Sequence, residues 1–350
     1  MRKYILDLTV RERTYLGAEY VLLKLTRLNE PLPAMFPGQF AELKIGNTSI
    51  SVKASETTTS IGNSEAATSA IISENTAKAF ESLTQGNSLE CKYNSEKVEM
   101  TSVETIGTTG EWQMPPLLRR PISIHYVDYA QNEVWFLVRI VGTGTRMLGV
   151  LQEGDIVNVM LPLGNGFTLP AVNATKLDQT LQMPSTIDTQ SFDNEQEAAL
   201  QTPLLIGGGV GIAPLLYLGK VLRKQSVSPT FLLGARTERE LQQLEEFEQF
   251  GTVYTTTEDG SHGEQGFVTQ HSVLQNRVFS QIYCCGPLPM MKAVASYAKE
   301  KNIPCEVSLE NRMACGIGAC LCCVENTTQG HQCVCTDGPV FNTKDLLWQI

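Results

Sequence analysis

The chain has 350 residues, 42% of them hydrophobic, with 27 basic against 37 acidic side chains and a net charge of −10. That balance describes a soluble protein of two or three domains and argues against nucleic acid as its main partner. Ten cysteines without a secretory leader lead us to expect a reducing, cytoplasmic setting in which thiols serve metal or redox chemistry.

In chain order, residues 3–10, 20–25 and 40–45 alternate in the β manner, the last after the turn Pro37-Gly38. From about 46 to 115, Ser, Thr, Asn and Glu dominate and no period is sustained, so this stretch reads as a polar insertion. Strand signals return at 122–127 and 134–141, and a second polar stretch at about 171–201 reads as a linker or insertion. Strands and helices then alternate, as expected of a parallel sheet: strands at 204–206, 230–233, 253–257 and 281–284, helices at 213–224 and 289–301. Between them, Thr237-Glu-Arg-Glu240 predicts a capping box opening a further helix, with Gly251 following its end. The apolar run 203–222 contains five glycines, two prolines and Lys220, so it predicts a buried strand, a turn and a helix, with no membrane span.

Three motifs in this frame suit phosphate-bearing ligands. Arg120-Pro121-Ile122-Ser123 heads a strand, and Gly142-Thr143-Gly144-Thr145 follows the next one. A guanidinium grips a pyrophosphate in a bidentate fashion, and Gly144 and Thr145 offer backbone N–H groups and a hydroxyl to the same charge. Gly207-Gly208-Gly209-Val210-Gly211-Ile-Ala-Pro214 joins a strand to a helix, where backbone can approach a phosphate at the helix N-terminus. The register is not G-x-G-x-x-G, since Pro214 stands where the third glycine would fall. Cys284-Cys285-Gly286-Pro287 again ends a strand and starts a helix.

Six cysteines lie in the last forty residues. Cys315, Cys320 and Cys323 form C-x4-C-x2-C and Cys335 follows after eleven residues, the spacing of a plant-type [2Fe–2S] loop. A zinc site favours paired C-x2-C knuckles, of which there is one here. Cys322 and Cys333 remain rival ligands.

Together these motifs resemble the ferredoxin–NADP reductase superfamily. With Glu310-Asn-Arg-Met-Ala-Cys315-Gly-Ile-Gly-Ala-Cys320, Val334-Cys335-Thr-Asp-Gly-Pro-Val-Phe341 and Pro162-Leu-Gly-Asn-Gly-Phe167, the chain is similar to the electron-transfer subunits of dihydroorotate dehydrogenase B. The resemblance implies an FAD-binding β-barrel at 1–170, a linker or insertion at 171–201, an α/β NAD-binding domain at 202–304 and a [2Fe–2S] domain at 305–350. It assigns Arg120, Pro121, Ile122, Ser123, Leu137, Val138, Arg139, Gly144 and Thr145 to FAD. Gly207, Gly208, Gly209, Gly211, Cys285, Gly286 and Pro287 would face the nicotinamide nucleotide, and Cys315, Cys320, Cys323 and Cys335 would hold the cluster. It further implies a catalytic partner carrying FMN, in a heterotetramer of two of each subunit, and a place in pyrimidine synthesis. No membrane or nucleic acid enters, and no acid or base catalyst is assigned. A relay of the same build serving an NADH:ferredoxin oxidoreductase or a sulfide dehydrogenase, a zinc-binding interaction module and an oxygen-reducing flavin reductase are the alternatives. Preference for NAD over NADP rests on the resemblance, because Arg236 suits a 2′-phosphate.

Overall fold

Two large sheets and one small hairpin organise the described residues of the computed structural model, which are 2–45, 117–170 and 202–348. These residues belong to one compact unit. Both polar stretches read from the sequence, 46–115 and 171–201, lie outside the described residues.

The first sheet is built from β1 (Tyr4–Leu16), β2 (Tyr20–Thr26), β3 (Phe40–Ile45), β4 (Leu117–Ser123), β5 (Tyr126–Asp128), β6 (Glu133–Arg139) and, after the short helix α1 (Thr143–Gly149), β7 (Ile156–Leu163). All pairs are antiparallel in the barrel-like order β4-β3-β7-β1-β2-β6-β5. Alternation sets the core: Leu8, Val10, Leu23, Leu25, Ala41, Leu43, Phe136 and Val159 turn inward together. Each large apolar side chain buried this fully contributes about 1.5–3 kcal/mol.

The second sheet follows as β8 (Leu204–Gly208), α2 (Ala213–Lys224), β9 (Thr230–Ala235), α3 (Leu244–Glu248), β10 (Thr252–Thr257), β11 (Glu264–Gln265), α4 (Val273–Asn276), β12 (Ile282–Cys285), α5 (Leu288–Glu300) and β13 (Cys305–Ser308). Its order is β11-β10-β9-β8-β12-β13, all parallel, closed at one edge by an antiparallel strand β16 (Val340–Asn342). The near-continuous apolar runs of β8, β9 and β12 suit a sheet covered on both faces. Between β13 and β16 lie the cysteine loop and the hairpin β14 (Val324–Thr327) and β15 (Gly330–Cys333). Cys323 and Cys335 are buried in the same core as Phe40 and Leu163 of the first sheet and Val307 and Phe341 of the second.

Helix α2 is wedged between the two sheets. Tyr217 enters the barrel core and donates its hydroxyl to the Met35 carbonyl at 3.0 Å, while Leu215, Leu218 and Leu222 pack with the second sheet. Lys220 Nζ donates to the Val127 carbonyl at 2.8 Å and stands 3.9 Å from the centre of the Tyr126 ring. His125 is fully buried: its Nδ1–H donates to the Ala213 carbonyl at 2.8 Å, and its Nε2 stands 2.7 Å from the Gln243 side-chain amide. No helix among the described residues is long and apolar enough to cross a membrane.

Two local expectations change. The stretch 122–127 is two strands, broken at Ile124 and His125, where the chain turns to send the imidazole to α2. The capping box at Thr237 does not form. A single 3-10 turn spans Glu238–Glu240 without a side-chain cap, and α3 starts only after Gln243 in a left-handed conformation (φ 56°). The Glu240 carboxylate accepts from Arg236 Nη2 at 2.7 Å, so it is not turned back to the Thr237 amide.

Candidate functional site

Strand β4 brings Arg120, Pro121, Ile122 and Ser123 into register with Leu43, Glu42, Ala41 and Phe40 of β3. The Arg120 guanidinium donates to the Leu118 and Arg119 carbonyls at 2.7 and 3.2 Å and lies directly over α1. A Cβ built on Gly144 would stand 2.3 Å from Arg120 Nε, so only glycine lets helix and guanidinium share this space. The two motifs read separately from the sequence therefore meet. Thr145 is committed otherwise: its Oγ1 accepts from the Val141 and Gly142 amides at 2.9 and 3.1 Å and closes the turn into α1. Arg139 is ion-paired to Glu19 at 2.8 Å over the Tyr20 ring, while Leu137 and Val138 are buried in two different cores.

In the second sheet the chain order reverses between β8 and β12, the crevice in which open α/β sheets place ligands. Gly207 and Gly208 end β8, Gly209 and Gly211 form the turn into α2, and Cys285-Gly286-Pro287 leaves β12 beside them. The two turns are pressed together: a Cβ on Gly211 would lie 2.5 Å from the Cys285 carbonyl oxygen, and one on Gly208 would lie 2.5 Å from Met290 Sδ. Burial pushes the Cys284 and Cys285 thiols well up, so both are inert, neutral packing groups.

The cysteine loop turns its amides onto its own sulfurs. Ile317 and Cys320 N–H donate to Cys315 Sγ at 3.5 and 3.4 Å, Gly318 N–H to Cys335 Sγ at 3.1 Å, and Cys335 N–H to Cys323 Sγ at 3.4 Å. Gly316 and Gly318 take φ of 66° and 83°, the left-handed conformation that bends the loop. The Ile317 amide, ahead of the other donors, draws the Cys315 thiol down to about 6. Burial pushes Cys335 up to about 12, so a thiolate there needs a cation beside it. Among the described residues no three Cys, His, Asp or Glu side chains gather as the ligands of one ion would. Amides aimed at thiols are what a cluster of thiolate-bound iron and sulfide requires, so the donor set fits a [2Fe–2S] group. Of the rivals, Cys322 is exposed; Cys320 is exposed too, but its thiol meets Cys315. Cys333 and Cys335 both neighbour Cys323, but it is the Cys335 sulfur that receives the Gly318 amide.

Barrel and cysteine loop meet across residues the sequence did not single out for chemistry. Asn165 donates through its amide N–H to Gly338 O at 2.5 Å and through Nδ2 to Asp337 O at 2.9 Å, pinning the segment after Cys335 to the barrel. Glu42 is fully buried against Gly316. Its burial raises the carboxyl to about 7, with Arg119 opposing the rise.

A barrel-like sheet bearing an arginine over a glycine helix, a glycine-rich turn at the switch point of a parallel sheet and a cysteine loop define an oxidoreductase of the ferredoxin-reductase class. Solved structures share that fold. A NADH-dependent reduced ferredoxin–NADP oxidoreductase, studied for flavin-based electron bifurcation, superposes with a TM-score of 0.62 at 22% identity over 97% of this chain and 90% of that one. The cytochrome b5 reductase domain of Ulva prolifera nitrate reductase does so with a TM-score of 0.50 at 14% identity, covering 86% and 94%.

Family models narrow the class. Residues 205–296 match the oxidoreductase NAD-binding domain, and 310–347 match the iron-sulfur cluster binding domain of dihydroorotate dehydrogenase B. The chain is 38% identical over 235 residues to the dihydroorotate dehydrogenase B (NAD(+)) electron transfer subunit of Geobacillus kaustophilus, which is 66% of this chain and 81% of the relative. Against the subunit of that name from Lysinibacillus sphaericus it is 39% identical over 262 residues, covering 73% and 91%. The chain belongs to the family of dihydroorotate dehydrogenase B electron transfer subunits.

Proposed function

We propose that this chain is the electron-transfer subunit of an NAD-dependent dihydroorotate dehydrogenase of pyrimidine synthesis. It takes electrons from the FMN of a catalytic partner and delivers them through [2Fe–2S] and FAD to NAD. Two copies of each subunit assemble in the cytoplasm. When bound, flavin accepts electrons singly and passes them on as a hydride, which joins a one-electron cluster to a two-electron nicotinamide.

The protein's task in this reading is to bind and to orient. Arg120 grips the FAD pyrophosphate with the first-turn amides of α1 at Gly144 and Thr145, and Arg139, Leu137 and Val138 border the adenine side. Pro121, Ile122 and Ser123 would border the flavin ring, Ser123 offering it a hydroxyl hydrogen bond. Gly207, Gly208, Gly209 and Gly211, with Cys285, Gly286 and Pro287, would face the nicotinamide nucleotide. Cys315, Cys320, Cys323 and Cys335 hold the cluster. Domain limits at 1–170, 202–304 and 305–350 suit this division, with strand Cys305–Ser308 shared between the last domain and the parallel sheet.

One observation carries the reading: β3, paired with the strand of Arg120 and Ser123, reaches the cysteine loop through Glu42 and Gly316, while the same barrel packs on α2 of the second sheet. Three cofactor sites on one rigid frame make a relay. Purification under anaerobic conditions, a visible spectrum and a dihydroorotate:NAD assay on whatever co-purifies test it. A colourless protein, or flavin without iron, would falsify the relay.

A further inference from the structure

Glu42 lies where β3 passes under the cysteine loop. It is fully buried (0% exposed), and neither carboxyl oxygen has a hydrogen-bond partner. Its neighbours Ala41 and Leu43 fill the barrel core, so strand alternation sends Glu42 the other way, into the junction. There a Cβ on Gly316 would stand 2.9 Å from its Cγ and 3.2 Å from its Oε1. Its cross-strand partner is Pro121 of the flavin strand.

The nearest cations are engaged elsewhere. Arg119 Nη1 donates to the main-chain oxygens of Glu42 and Asn158 at 3.1 and 3.0 Å, and its Nη2 to Asn158 Oδ1. Arg120 donates to main-chain oxygens and covers Gly144. A buried carboxylate without donors is strongly disfavoured. The neutral acid has one donor and needs one acceptor. Beside the residue that follows Cys315, that acceptor is at hand in the cluster, whose thiolates and sulfides are rich in electron density.

We propose that Glu42 donates its carboxyl O–H to a sulfur of the [2Fe–2S] cluster and so raises the cluster's reduction potential. This inference rests on the cluster assignment made above. A hydrogen bond to sulfur stabilises the reduced cluster more than the oxidised one, because reduction adds negative charge to the acceptor. From the flavin side of the loop, Glu42 sets the driving force of the electron hop that leaves the cluster.

The test is an EPR-monitored redox titration of the anaerobically purified protein, with the flavin midpoint followed in parallel by absorbance. Glu42→Leu keeps the volume and loses the donor, so the cluster midpoint falls by about 59 mV, tenfold in a one-electron equilibrium. Glu42→Gln, whose amide N–H replaces the O–H, stays close to wild type, and the flavin midpoint holds in both. ENDOR of the reduced cluster before and after exchange into deuterated water shows one exchangeable proton more in wild type than in Glu42→Leu, beyond those of the amides that face the sulfurs. A cluster midpoint that rises or stays fixed in Glu42→Leu, a shift confined to the flavin, or the same exchangeable couplings in both proteins overturns the proposal. Wild-type protein without an iron–sulfur signal removes the cluster assignment itself, and the proposal with it.

Discussion

Arg120 and Gly144 occupy one space that neither could share with a larger neighbour: a Cβ on Gly144 would lie 2.3 Å from Nε and 2.8 Å from Cζ of the arginine. The guanidinium is thus held in place by the absence of a side chain on α1. Gly144→Ala must push Arg120 aside, and Arg120→Ala removes it. Each variant should retain FAD at least about tenfold more weakly, since a hydrogen bond to a charged group contributes about 1.5–3 kcal/mol. The double variant should be little worse than Arg120→Ala, because both changes act on one contact. FAD occupancy by absorbance after gel filtration checks this. An Arg120→Ala protein fully loaded with FAD removes the assignment.

For the cluster, Ser in place of Cys315, Cys320, Cys323 or Cys335 should lower iron and labile sulfide from about two each per chain, with FAD retained. Cys322→Ser should leave iron unchanged, because it is the Cys320 thiol that meets Cys315. Cys333→Ser should do the same, because the loop amide of Gly318 is given to Cys335. Iron lost from Cys333→Ser but kept in Cys335→Ser would exchange the fourth ligand.

Much of this site was legible because its chemistry is written in local spacing. R-P-x-S, the glycine turn and C-x4-C-x2-C each need fixed intervals along the chain, so the sequence displays them directly. Contacts between motifs were not legible. In Phe40-Ala-Glu-Leu-Lys-Ile45, alternation places Glu42 on the outer face with Lys44, which reads as solvent. Only a loop arriving from 274 residues further on (42 to 316) buries it. Thr237 misled for the opposite reason: the local S/T-x-x-E signal was right in composition, but a neighbouring arginine took the glutamate. The Pro162-Leu-Gly-Asn-Gly-Phe167 stretch was noted as a pattern, and its purpose as a clamp on the segment after Cys335 emerged from the fold.

His125 gives the junction of barrel and α2 a pH dependence. Burial holds its folded pKa at about 4, against 6.5 in a solvated chain. Between these values the unfolded state binds a proton that the folded state refuses. Its contribution is therefore whole above about pH 6.5 and is lost progressively as the pH falls towards 4. The full loss is on the order of 3 kcal/mol. Denaturant midpoints across this window should fall more steeply with acid in the wild type than in His125→Leu. The variant should be less stable near neutral pH, since it strands the Ala213 carbonyl. Parallel acid profiles in the two proteins would show that His125 is not the sensor.

The partner is the prediction on which the named function depends. Of the four histidines, His125 has both ring nitrogens engaged, His262 meets Thr255 at 2.9 Å, His271 accepts the Val273 amide at 3.0 Å, and His331 lies exposed on β15. His125, two residues past the strand of Arg120 and Ser123, is thus committed to α2 and Gln243, and dihydroorotate is expected to be oxidised on another chain. Alone, the protein should reduce artificial acceptors with NADH and leave dihydroorotate untouched. Mixed with an FMN-bearing catalytic subunit from the same source, it should form a stable complex that oxidises dihydroorotate with NAD as sole acceptor. Contact should fall on the cysteine loop, where Ile317 and Leu321 are 49% and 65% exposed beside Cys320. Apolar side chains exposed next to a redox centre suit a surface that a partner covers. Electron transfer weakens steeply with distance, so the cluster has to lie near that surface. Leu321→Glu should weaken association and slow NAD-linked turnover while NADH-dependent reduction of small acceptors continues. Subunits that mix without associating, or a complex that oxidises dihydroorotate only with other acceptors, would leave this chain as an NADH-linked relay for a different partner.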